Sequence, residues 1–265
     1  MREGVYFRPT STTASGTALV HGYLLPALSR SNLIIRTGTL ATSIVVERGR
    51  ATAVLCVDAG GSVRRVAARR SIVLAAGALR TPQLLMLSGI GPAGHLREHG
   101  LDVVHDQPAV GADLQDHPMV STIWPVVDGS PLWSAVPDAE VRAFQLLRRG
   151  PLASFTQATA KIRTGEGLPG PNIQLTLALI ALNRARQVYE QPAVTCAVSL
   201  LTPVSRGEVR LASDDPTVAP LINPNYLHAQ ADRDDLLEGL RLARRLFQTS
   251  PLKAATGGTA RGPTA

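Results

Sequence analysis

Ser71-Ile72-Val73-Leu74-Ala75-Ala76-Gly77-Ala78-Leu79-Arg80-Thr81-Pro82-Gln83-Leu84-Leu85-Met86-Leu87-Ser88-Gly89-Ile90-Gly91 is the most informative stretch of this chain. Ser71 to Ala76 is short, apolar on both faces and ends in small residues. That pattern suits a strand buried on both sides, as in a parallel sheet. A helix is expected next. Thr81 is placed to cap it, and Pro82 falls at its first position, where a missing N–H costs nothing. Gln83 to Leu87 continues it and Gly89 stops it. Between strand and helix lies Ala75-Ala76-Gly77-Ala78. In open α/β sheets ligands sit outside the carboxyl ends of strands. Small residues there let the backbone approach a ring or a phosphate, and a helix N-terminus favours negative charge. The same residues also serve plain packing where a helix crosses a sheet, and local physics leaves both readings open.

Working outward, Asn32 to Thr37, Thr39 to Glu47, Ala51 to Asp58 and Val63 to Ala67 read as strands of a small antiparallel meander, with Gly60-Gly61 as a turn. Pro92 to His99 reads as a short helix and Leu101 to Asp106 as a strand. Beyond Pro118 the pattern changes. Met119 to Val127, Ile173 to Leu182, Val194 to Leu201 and Glu208 to Leu211 read as strands. Asp138 to Arg149 reads as an amphipathic helix. Asp232 to Gln248 is the longest helix, with Leu236, Leu237, Leu240, Ala243 and Phe247 on one face. The Gly-, Ala- and Thr-rich segment from Lys253 to Ala265 reads as disordered or as a truncated tail.

The 265 residues suffice for one large domain or two ordinary ones. Only 4% are aromatic against 45% hydrophobic, so aliphatic residues must fill the core. The net charge is +7, but the arginines are scattered and few aromatics exist to stack on bases, which argues against nucleic acid as a partner. No run is long and apolar enough to span a bilayer, and Met1 to Arg8 has no apolar centre, so no secretory signal is expected. Cys56 and Cys196 sit in apolar runs and read as buried thiols of a reducing compartment, here the cytoplasm.

Three motifs compete for attention. Gly89-Ile90-Gly91-Pro92-Ala93-Gly94 matches G-x-G-x-x-G, but a dinucleotide fingerprint must follow a strand, and the segment before it reads as a helix. His95 and His99 are four apart, a spacing metals use, yet no third ligand is evident and they read as surface histidines. No metal is expected. Asp113-Leu114-Gln115-Asp116-His117 is a dense polar cluster that either lines a site or pairs with itself to cap a turn.

Gly77 to Gly91, with Gly77-Ala78, Thr81-Pro82, Leu85-Met86 and Ser88-Gly89-Ile90-Gly91 at the defining positions, resembles the second signature of the glucose–methanol–choline (GMC) oxidoreductase family. Flanking segments agree: Tyr23 to Ala27, Asn32 to Gly38, Gly111 to Pro118, Thr202 to Leu211, Pro220 to Leu227 and Asp232 to Pro251. Asp113 stands where the family usually has Asn. The family's phosphate-binding G-x-G-x-x-G and its His-x-x-Gly-Thr segment are not found in this chain, so the resemblance is to the family's central portion.

The resemblance implies a fold of class α/β plus α+β. An incomplete FAD-binding Rossmann-like domain with a β-meander (1–112) would join a substrate domain with a mainly antiparallel sheet and helices (113–252), followed by the tail (253–265). It implies FAD as cofactor. Ala41 would approach the adenine through its backbone, Ala76 and Gly77 would lie at the strand end near the FAD, and Asp113, Gln115 and His117 would lie near the flavin. No catalytic residue is assigned in this chain. The implied reaction is oxidation of the CH–OH group of an alcohol, choline-like alcohols included, with hydride passing to flavin N5. The electron acceptor is undefined, and a complementing chain carrying the absent segments is one expected partner. The opposing expectation is a truncated, catalytically inactive fragment.

Overall fold

β-branched and aliphatic runs separated by glycine turns favour strands, and a 3.6-residue apolar repeat favours helices; the computed structural model shows where each prevails. It describes residues 4–7, 20–127, 142, 145–146, 156–179, 181 and 192–260. In chain order these contain β1 (Gly4–Phe7), short helical turns at Val20–Leu24 and Leu25–Ala27, β2 (Thr39–Glu47), β3 (Arg50–Asp58), β4 (Val63–Ala67), α1 (Gly77–Leu87), β5 (Ile90–Gly91), α2 (Ala93–Glu98), β6 (His105–Asp106) and β7 (Met119–Pro125). They continue with β8 (Thr156–Ile162), β9 (Ile173–Ala178), β10 (Ala193–Leu200), β11 (Glu208–Arg210), β12 (Leu221–Asn223), α3 (Gln230–Phe247) and α4 (Ser250–Thr256). The mixed helix-and-sheet class expected from the sequence is present. The chain divides into two units, Ser29–Asp116 with Ser205–Tyr226, and Met1–Leu28 with His117–Val204 and Leu227–Ala265.

The first unit is built on the antiparallel meander β2-β3-β4. Arg48 and Gly49, both at positive φ (54° and 74°), close the β2–β3 hairpin in the way a two-residue primed turn requires. α1 packs on β2. Its C-terminal Ser88 is the tie: Ser88 Oγ accepts the Ile44 N–H at 2.8 Å and donates to the Leu84 carbonyl at 2.6 Å. Met86, Leu96 and Leu211 form the unit's small core, with Leu87, Leu101, Val103 and Val110 against it.

Three local expectations change here. Asn32 to Thr37 pairs with no strand among the described residues, and Leu33, Ile34 and Ile35 are exposed. Ser71 to Ala75 is extended chain but unpaired among the described residues, with Val73 84% exposed. A buried parallel strand is defined by neighbours on both edges, and the one parallel pairing among the described residues is β5 with β6. α1 starts at Gly77, a turn earlier than the Thr81 cap predicts, with Ala76 as its uncapped N-cap. Pro82 therefore sits in the second turn.

The second unit is an antiparallel sheet in the order β1-β8-β9-β10-β7. α3 lies across β9 and β10. Of the face expected from the periodicity it buries Leu236, Ala243 and Phe247, with Gly239 beside them, whereas Leu237 is exposed because it lies one residue round from Leu236, toward solvent. Phe247 stacks on Trp124 with centroids 4.1 Å apart and rings 6° from parallel. Trp124 Nε1 donates to Thr122 Oγ1, which donates to the Cys196 carbonyl, so the indole N–H is satisfied inside the core. Gly239 permits the close crossing: a Cβ there would stand 2.8 Å from Val198 Cγ1. The segment from Lys253, expected to be structureless, begins inside α4, whose first turn carries Pro251 and whose end is capped at Gly257. Asp138 to Arg149 lies largely outside the described residues, as does 261–265. No helix among the described residues is long and apolar enough to cross a membrane.

Candidate functional site

The first unit contains a cavity of about 480 Å³, within the range of about 300–1,000 Å³ usual for small-molecule sites. Its walls come from four elements. β2 gives Thr39, Leu40 and Ala41; the turn before α1 gives Ala76; α1 gives Arg80, Gln83, Leu84 and Leu87 at helical spacing; a distant loop gives Pro216 and Thr217. β2 shifts register between Ala41 and Ser43, a bulge of the kind that re-aims a strand beside a site.

Gln83 is 3% exposed and uses both ends of its amide. Its Oε1 accepts from Arg80 Nη1 at 2.7 Å and its Nε2 donates to the Val218 carbonyl at 2.8 Å. The Pro216–Thr217 rim is held by Asp215, whose Oδ1 accepts from the Thr217 N–H at 2.8 Å and the Thr217 hydroxyl at 2.7 Å. Those bonds, the backbone one foremost, hold the Asp215 carboxyl below its ordinary pKa. Sequence reading missed Arg80 and Gln83. The available signal was an Arg and a Gln three apart on one face of a helix, opposite the small residues already singled out.

Of the expected site residues, the cavity joins Ala41 and Ala76, with Gly77 next in the chain as the first residue of α1. Asp113 and Gln115 do not line it. They are exposed on the loop that follows Gly111, and this loop is clamped against residues 205–210. Leu114 and Gly207 exchange two backbone hydrogen bonds of 2.9 Å, and the Val209 N–H donates to the Gly111 carbonyl. Gly111 is obligatory: its φ is +79°, and a Cβ would meet the Val209 carbonyl oxygen at 2.2 Å. Asp113 also has positive φ (60°), a conformation Asn and Asp adopt more readily than other residues. Its carboxylate lies 3.6 Å from Arg206 Nε, an exposed pair. Asp116 accepts a short hydrogen bond from the Tyr226 hydroxyl, and this bond pushes the phenol's pKa up. His117 belongs to the other unit.

Two motifs resolve into structural roles. α1 precedes Gly89 to Gly94, and a Cβ on Gly89 would meet the Asp102 carbonyl oxygen at 2.4 Å. The Ala93 N–H that opens α2 is already bonded to Asp106 Oδ1 at 2.9 Å. Gly89 permits close packing on Asp102 and Val104, Gly91 permits it on Met86, and no phosphate loop forms. His95 and His99, expected at the surface, instead hold a backbone. His95 Nε2 accepts the Leu211 N–H at 2.9 Å, and His99 Nε2 lies 3.1 Å from the Leu211 carbonyl oxygen. Among the described residues no three His, Cys, Asp or Glu side chains gather as a metal site would require. Both cysteines are free, Cys56 half-buried and Cys196 buried. Burial raises the Cys196 thiol to about 11.

The lining offers what an adenosine diphosphate half would need: the apolar side chains of Leu40, Ala41, Leu84 and Leu87 for a ring and one cation, Arg80, for a phosphate. Comparison with known proteins bears on the family. Residues 10–119 and 203–264 match the N- and C-terminal family models described as GMC oxidoreductase. An uncharacterized GMC-type oxidoreductase of Mycobacterium tuberculosis (strain ATCC 25618 / H37Rv) is 38% identical over 243 residues, 90% of this chain and 46% of the relative. An oxygen-dependent choline dehydrogenase of Rhizobium etli is 38% identical over 249 residues, 89% of this chain and 44% of the relative. A formate oxidase of Aspergillus oryzae RIB40, from a study of FAD modification, superposes with a TM-score of 0.79 at 27% identity, over 86% of this chain and 46% of that one. The chain spans about half the length of the curated relatives it matches. Two family models, these relatives and the shared fold establish that the chain belongs to the GMC oxidoreductase family.

Proposed function

We propose that the protein acts as an FAD-dependent oxidoreductase on the CH–OH group of an alcohol, with choline-like alcohols the first class to test. The cavity that gathers Ala41, Ala76 and the start of α1 carries this reading, because the family resemblance assigns those same positions to FAD. When bound, FAD supplies the two-electron chemistry by accepting, at N5, the hydride that leaves the alcohol carbon. This chain's own residues bind and orient. Ala41 presents strand backbone to the adenine, because a methyl side chain leaves the approach open. Ala76 and Gly77 do the same at the start of α1. Asp113, Gln115 and His117 are assigned to the flavin side by resemblance. The proton acceptor is not assigned to a residue of this chain. A complementing chain is proposed to supply the remaining site residues, and the two free cysteines favour the cytoplasm as the compartment.

The test is FAD titration of the purified protein, followed by flavin fluorescence, with Ala41→Trp and Ala76→Trp as variants. Saturable binding is expected, weakened at least about tenfold by either indole, which fills space inside a site of this size. Absence of FAD binding to the folded wild type refutes the assignment. The contrasting reading, a catalytically inactive fragment, is favoured by one observation: the unpaired apolar stretch Ser71 to Ala75. FAD binding without turnover of choline by a dye acceptor supports that reading; turnover by the chain alone rejects it.

A further inference from the structure

We propose that Arg80 is the cation that meets a phosphate of the adenosine diphosphate half of the cofactor, and that Gln83 is the residue that positions it. The inference rests on the FAD-binding reading above. Arg80 is the one charged residue among those lining the cavity. It has no carboxylate partner among the described residues, and of its five N–H donors the structure spends one, on Gln83. Gln83 is the unusual half of the pair. Burying an amide costs free energy unless both ends are paired. Here the Val218 carbonyl takes the Nε2 end, so the Oε1 end is fixed toward Arg80. The result is a guanidinium held at one edge of a cavity whose other lining residues are uncharged, with its remaining donors unspent among the described residues. A guanidinium in that state suits a phosphate, to which it donates in a planar fork. The carboxylate nearest in sequence to the rim, Asp215, is occupied by Thr217.

The experiment is calorimetric titration of the full chain with FAD, ADP, adenosine and inorganic phosphate. Wild type, Arg80→Ala, Arg80→Lys and Gln83→Met are compared, with melting curves to establish folding. ADP is expected to bind about 10- to 100-fold more tightly than adenosine, the value of a hydrogen bond to a charged group. Arg80→Ala erases that ratio and leaves adenosine binding unchanged. Arg80→Lys restores it in part. Gln83→Met narrows it several-fold, again without moving adenosine, which a merely structural role would not do. Because Arg80 is exposed, its variants keep the proposal testable even where Gln83→Met unfolds. An ADP-to-adenosine ratio unchanged in Arg80→Ala overturns the inference, as does displacement of ADP by inorganic phosphate alone at equal concentration. FAD binding indifferent to Arg80 overturns it while leaving the FAD reading intact. Arg80-dependent ADP binding without FAD binding supports it and overturns the FAD reading. No binding of either overturns both.

Discussion

Replacing His95 with leucine removes one jaw of a clip that closes on Leu211 and leaves a buried N–H without a partner. Leu211 is 1% exposed, so water cannot substitute. In the wild type, His95 Nε2 accepts that N–H and must carry no proton, which puts the ring's proton on Nδ1, 3.7 Å from Glu98 Oε2. His99 holds the Leu211 carbonyl as an Nε2–H donor, stacked at a tilt with centroids 4.6 Å from His95. Its buried Nδ1 has no hydrogen-bond partner among the described residues. An orphaned buried backbone donor costs about 1–3 kcal/mol, and at roughly 2–4 °C per kcal/mol for a protein of this size the melting point falls by about 2–12 °C. Acid does the same to the wild type. Burial, then the neighbouring His99 and Arg210, hold the His95 pKa below its ordinary 6.5, with Glu98 opposing. The unfolded chain therefore takes up this proton at higher pH than the folded one. The clip's contribution is complete above pH 6.5 and declines as pH falls toward the lowered folded value. Urea unfolding of wild type and His95→Leu between about pH 5 and 8 reads the difference, and hydrogen exchange at the Leu211 amide reads it locally. The gap between the two proteins should be widest at neutral pH and close in acid. A gap that does not change with pH, or a Leu211 amide equally protected in both, refutes the clip.

Ser88→Ala leaves the Ile44 N–H unpaired between α1 and β2, so a loss of about 1–3 kcal/mol is expected by urea unfolding. Gly239→Ala gains about 1 kcal/mol of helix propensity but drives a methyl into Val198 and Ile173. Overpacking of about 1–3 kcal/mol should exceed that gain, so the melting point drops. Phe247→Ala empties the ring stacked on Trp124, with an expected cost of about 3–5 kcal/mol and a change in the near-ultraviolet circular dichroism of the indole. Cys196, buried and with its thiol raised to about 11, should resist iodoacetamide at about pH 8 until the protein unfolds.

The elements legible in the sequence are those whose signal is local. The meander β2-β3-β4 announced itself by β-branched alternation and glycine turns. α3 announced itself by its apolar stripe, and the buried residues Leu236, Ala243 and Phe247 are those the 3.6-residue repeat selects. Asn32 to Thr37 and Ser71 to Ala75 carry equally good strand signals and pair with nothing among the described residues. Strand propensity describes a segment, whereas a strand needs a partner, and no local pattern reports whether one arrives.

The candidate site divides the same way. Small residues at Ala76 and Gly77 left a close backbone approach open beside plain packing, the family resemblance added Ala41, and the signature that begins at Gly77 pointed to the family. What lies opposite was not readable. Pro216 and Thr217 join the cavity from a loop more than a hundred residues away in sequence, and Gln83 matters through its bond to Val218, which lies 135 positions further on. His95 and His99 looked like solvated histidines because their partner, the Leu211 backbone, is 116 and 112 positions distant. The sequence by itself determined the family, the meander β2-β3-β4 and the helix α3, since their signals depend on neighbours along the chain. The tertiary structure alone decided which polar groups are paired, which cation is left free and where the cavity opens, because burial and hydrogen bonding are settled between segments that meet only when the chain folds.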